Sequence, residues 1–95
     1  MDFGNKRLLS SAVKALDEFE QKMKRFEETG NISDSVNLAM SEGIRRLVID
    51  IIKEEFGEHS PKIHQFQNLS SSKSGNEEWI ELFSLRKRFV ENLIS

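Results

Sequence analysis

The chain has no cysteine and no tyrosine, and only one proline and one tryptophan among its 95 residues. Without cysteine it can form neither a disulfide nor a thiolate metal site. That excludes the bridge-stapled secreted scaffolds and fits a reducing, cytoplasmic setting. Long apolar runs are missing as well. No segment approaches the roughly 20 apolar residues needed to cross a bilayer, and the N-terminal MDFGNKRLLSSAVKALDEF carries no uninterrupted hydrophobic run of leader length. No membrane partner is expected.

An excess of one charge sign is also absent. Fourteen basic and sixteen acidic side chains give a net charge of -2, which argues against both a dedicated nucleic-acid surface and an acidic tail. The five glycines stand singly, so no glycine-rich loop opens a helix to cradle a phosphate. No G-x-S-x-G turn is present, and the serines fall in helix caps and a connector instead of beside a base. His59 and His64 are the only histidines. They are separated by Pro61 and lack the i, i+4 ligand spacing of a helical metal site, although Glu54, Glu55 and Glu58 lie close in sequence. No catalytic, cofactor-binding or metal-ligating residue is assigned, and a hydrolase working through His59 is the least favoured reading.

What the chain does have is helical periodicity. The run Val36 to Phe56 is its longest and most apolar segment and is read as the central helix, over about 33–56. At about 100° per residue, Val36, Met40, Gly43, Ile44, Leu47, Val48 and Ile51 share one broad face. A second apolar line passes through Leu38, Ile49, Ile52 and Phe56, with Arg45 set inside it. Only Glu42, Arg46, Asp50 and Lys53 remain as a polar strip. A helix apolar around most of its circumference needs more cover than a small domain offers. The second line, Leu38, Arg45, Ile49, Ile52 and Phe56, is therefore assigned as a candidate interface, with Arg45 laying its stem along apolar surface.

A first helix is expected over about 5–29, where Leu9, Ala12, Leu16, Phe19, Met23 and Phe26 alternate in steps of three and four and Thr29-Gly30 supplies a stop. Ser33 and Asp34 are candidate caps for the central helix. Close helix packing is the reading of Gly43. Residues 57–75 read as a flexible segment, closing in the SSSKSG tract, although Ile63, Phe66 and Leu69 could form a short turn against the core. Ser74 and Glu77 have capping-box spacing before a last helix over about 76–94. Its core face is assigned to Trp79, Leu82, Phe83, Leu85, Phe89, Val90 and Leu93, with Arg86, Lys87 and Arg88 late in the helix.

The fold expected is all-α: a single domain built as a long antiparallel helical hairpin with a third helix packed on it, two such units pairing into a dimeric bundle. The expected function is a non-catalytic protein–protein interaction or regulatory module, with a second copy of itself or a larger protein as partner and no cofactor. The alternative is a nucleic-acid-associated helical protein that aligns Arg45 and Arg46 with Arg86, Lys87 and Arg88 into one basic stripe.

Overall fold

The computed structural model describes residues 1–95 and contains helices and no strand. Helix α1 spans Phe3–Thr29, a single 3-10 turn follows at Ile32–Asp34, and α2 spans Leu38–Phe56. A short α3 covers Pro61–Gln67, and α4 runs over Asn76–Ile94. Helix α4 lies antiparallel along α1, and this pair forms the main helix–helix interface. Helix α2 packs on α1, and α3 folds back on α2. No helix is long and apolar enough to cross a membrane.

Four helices pack together where three were expected. The extra one, α3, lies inside the segment read as a flexible connector, and its residues explain why it forms. Ser60 Oγ accepts from the Lys62 amide at 3.2 Å as N-cap, and Pro61 occupies the first turn, where its missing amide hydrogen costs nothing. Ile63 and Phe66 are buried, at 6% and 1% exposure. Pro61 thus begins a new helix just after the central one ends.

Helix ends follow local chemistry. Asp2 caps α1 through a 3.2 Å bond from the Asn5 amide, and Gly30 closes it in the left-handed conformation at φ 64°, its amide donating to the Phe26 carbonyl. Helix α2 is capped by Asn37, whose side-chain oxygen accepts from the Ala39 and Met40 amides. Ser33 and Asp34, the candidates from the sequence, instead lie in the 3-10 turn, which Asn31 caps. The capping box at Ser74 and Glu77 does not form either. Gly75 is the N-cap of α4 at φ 65°, with no side-chain cap bond.

The core is one contiguous cluster. Leu9, Ala12, Leu16, Phe19 and Met23 of α1 meet Val48, Ile49, Ile51 and Ile52 of α2, Ile63 and Phe66 of α3, and Phe83 and Val90 of α4. Aromatic contacts fasten its ends: Phe19 and Phe83 stand 5.5 Å apart between ring centroids, and Phe66 and Phe89 stand 5.3 Å apart. Only 18 of 95 residues are buried, and the Cα radius of gyration, 13.7 Å, exceeds the ~12.4 Å expected of a compact chain of this length. The bundle is elongated, and one flank of α2 is thinly covered.

Candidate functional site

Helix α2 carries the surface most unlike an ordinary solvated face, so the residues assigned to it from sequence are placed first. Ile49 and Ile52 are buried at 7% and 0% exposure, inside the core cluster formed by the chain itself. Leu38 and Phe56, at the two ends of the same line, are 44% and 42% exposed. Lys62 Nζ sits 5.2 Å from the centroid of the Phe56 ring and partly covers it. Arg45 is a quarter exposed and donates from Nη1 to Glu42 Oε1 at 3.1 Å. The five residues therefore do not form one continuous outward stripe.

The two apolar lines of α2 are instead the borders of one broad core arc. Its centre is the line Ser41, Val48 and Ile52, at 2%, 0% and 0% exposure, with Ile49 on one side and Ile51 on the other. The apolar surface left over lies on the opposite border. Met40 is 61% exposed, Gly43 is exposed, and Val36 and Leu47 are only half-buried. These residues recur at helical spacing, and Ile32 in the preceding turn, 82% exposed, stands on the approach to α2. Close packing does not explain Gly43, because a Cβ built there would meet nothing within 4 Å.

The charges sort into three groups. Lys87 of α4 reaches Asp17 Oδ1 at 2.9 Å and Glu20 Oε1 at 3.1 Å, while Lys24 Nζ donates to Glu20 Oε2 at 2.9 Å. Burial works to raise the Glu20 carboxyl, but the bonds from Lys24 and Lys87 outweigh it and hold the group below its usual range. The hydrogen bond to Asp17 pushes the Lys87 ammonium above its usual value. At the far end of the bundle, Asn5 Nδ2 and the Asp2 amide both donate to Glu55 Oε1, at 2.9 and 2.8 Å. Those bonds lower the Glu55 carboxyl.

The third group is Arg86. It is 7% exposed and its Nη1 is buried with no protein acceptor. Desolvation lowers its pKa, the nearby Arg45 charge lowers it further, and Glu42 offsets part of this. In the sequence Arg86 stands in the late basic run with Lys87 and Arg88. Its spacing held the contrary signal, because it lies three residues after Phe83 and four before Val90, on the buried line of α4. The five cations of the alternative basic stripe have different environments: Arg86 is buried, Lys87 and Arg45 are ion-paired, and Arg46 and Arg88 are exposed.

His59 and His64 are both exposed, and no group of three or more histidine, cysteine, aspartate or glutamate side chains converges on one point. The surface concavities are shallow. That between α1 and α4, about 380 Å³, is lined largely by Glu20, Lys24, Lys73, Glu77 and Glu81, whose charges are mostly engaged with one another. No known family, curated protein or solved structure matches the chain.

Proposed function

We propose that the protein is a non-catalytic helical interaction module that pairs with a second copy of itself through the thinly covered flank of α2. The observation that carries this reading is the exposed line Met40, Gly43 and Leu47, with Val36 and Ile32 at its N-terminal end. A soluble helix normally turns such a line inward. The open glycine surface at Gly43 lets another backbone come close.

The exposed polar residues that flank the line, Arg46 and Asp50, carry opposite charges four residues apart, a pattern that two antiparallel copies would exchange about a two-fold axis. Leu38 and Phe56, exposed at the two ends of α2, lie on its other border and outside this contact. Ile49 and Ile52 support the helix from within.

Light scattering during size exclusion, at two protein concentrations and at low and high salt, tests the reading. A mass of two copies that falls to one copy in Met40→Asp, with helicity retained by circular dichroism, supports it. A single-copy mass at high concentration in the unaltered chain overturns self-association.

A further inference from the structure

The first half of α1 holds charge of one sign. Between Phe3 and Leu16 it carries three cations, Lys6, Arg7 and Lys14, and no carboxylate. All three are exposed. None is ion-paired, whereas Lys24, Arg25, Lys73 and Lys87 each hold a carboxylate elsewhere on the bundle. Lys6 stands in the first turn, where a cation opposes the helix dipole, so the fold gains nothing from its charge. Phe3, Arg7, Ser10 and Lys14 follow one another in steps of four, three and four. They form a single line along the helix, about 17 Å long at about 1.5 Å per residue. Lys6 and Ser11 flank the line, and Ile94 of α4 closes one side, leaving a shallow concavity of about 390 Å³. The Phe3 ring is 74% exposed and takes no part in the core cluster.

We infer that this face of α1 binds single-stranded nucleic acid, with Lys6, Arg7 and Lys14 on its phosphates and Phe3 stacked on a base. Cations that track a backbone and an exposed aromatic ring beside them are the two parts such a surface needs. The hydroxyls of Ser10 and Ser11, on the same concavity, add donors for phosphate oxygens. A duplex keeps its bases stacked, so the Phe3 ring requires an unpaired strand. At about 3.4 Å per nucleotide the line matches about five nucleotides. The net charge of the chain hides this patch, because the acids of α1 begin only at Asp17. A lipid surface fits less well. Leu8, the only other large apolar side chain of α1 that is exposed, points about 140° away from Phe3 around the helix. The face lies on α1 and the end of α4, apart from the flank of α2, and does not depend on pairing there.

The test is fluorescence anisotropy of labelled oligothymidylate and oligouridylate, each about ten nucleotides long, titrated with the full chain at several salt concentrations. Binding of either strand that weakens as salt rises supports the proposal, and the two arms show which sugar the face accepts. Lys6→Gln combined with Lys14→Gln is expected to weaken binding about tenfold or more and to lower the salt slope by about 0.7 for each cation removed. Phe3→Ala is expected to weaken binding about fivefold or more while leaving the salt slope unchanged, because stacking releases no counterion. These residues are exposed, so helicity by circular dichroism should be retained. Lys53→Gln combined with Arg88→Gln removes equal charge from exposed positions outside this face and should leave binding much less affected. Absence of salt-sensitive binding by the unaltered chain overturns the proposal. Equal losses in the two double variants also overturn it, marking general attraction with no defined face. So does undiminished binding in Phe3→Ala. Displacement of both strands by phosphatidylserine vesicles or by polyglutamate at equal charge overturns it as well, and would assign the face to a lipid surface or an acidic peptide.

Discussion

Lys87 Nζ stands 3.1 Å from Glu20 Oε1, an ion-pair contact between α4 and α1 at a carboxylate only 8% exposed. The same ammonium donates to Asp17 Oδ1 at 2.9 Å, so one α4 side chain bridges two acids one turn apart on α1. This fixes the register of the antiparallel α1–α4 pair, on which the rest of the bundle is mounted.

Removing that ammonium leaves Glu20 with Lys24 as its remaining cationic partner. Lys87→Met is expected to destabilise the fold by about 1–2 kcal/mol through the buried Glu20 carboxylate. Urea unfolding followed by circular dichroism would read this as a lower midpoint with unchanged slope. An unchanged midpoint would show that Lys24 alone satisfies Glu20.

The ion network also sets the pH response. Asp17, Glu20 and Glu55 have folded-state carboxyls held below their ordinary values, so the unfolded chain binds protons first as the medium turns acidic. Their contribution is complete above the ordinary carboxylate range and is lost as pH falls through the lowered values. Lys87 behaves in the opposite direction: its raised value gives stability that is full below the usual lysine range and lost as pH rises through the folded value. Melting temperature is expected to hold across neutral pH and to fall below about pH 4.5. Lys87→Met should flatten that acid limb.

Helix α3 should prove structural. Phe66 is 1% exposed and packs on Phe89 at 5.3 Å. Truncating a buried phenylalanine typically costs about 3–5 kcal/mol, a large share of the stability of a chain of this size. Phe66→Ala is therefore expected to lose most cooperative unfolding, whereas Gln65→Ala, on the exposed side of the same helix, should unfold as the unaltered chain does. Equal behaviour of the two would mean that α3 does not contribute to the core.

These positions show what the sequence made legible and where physics left it ambiguous. The α1 seam was readable because Leu9, Ala12, Leu16, Phe19 and Met23 repeat over several turns and all are buried. Helix α3 was harder to read, because in seven residues only Ile63 and Phe66 face the core. The rest of α3 looks like the connector that follows it. Between Asn31 and Asn37 five residues have side chains able to cap a helix, and only the path of the chain selects Asn37 for α2. On α2, Arg45 within an apolar line suggested an outward stripe. A long arginine stem can lie along a core border, so its charge did not mark which border faces water. Arg86 is ambiguous in the reverse direction: its neighbours Lys87 and Arg88 suggest a solvated run, while its spacing from Phe83 and Val90 puts it on the buried line.

A substitution at Gly43 would separate the folding of one chain from the proposed pairing of two. That glycine lies in the interior of α2, exposed, and a Cβ there would touch nothing within the chain. For an isolated copy, Gly43→Ala removes backbone freedom from the unfolded state and is expected to stabilise by about 1 kcal/mol. If a second α2 approaches across that glycine, the added methyl group meets the partner's backbone instead. The same substitution then weakens association while strengthening the single chain. Unfolding at a concentration where the protein is a single copy, together with mass measured at high concentration, reads the two effects separately. A rise in stability with undiminished association would place the contact elsewhere on the bundle. A rise in stability with loss of the two-copy mass would locate it at Gly43.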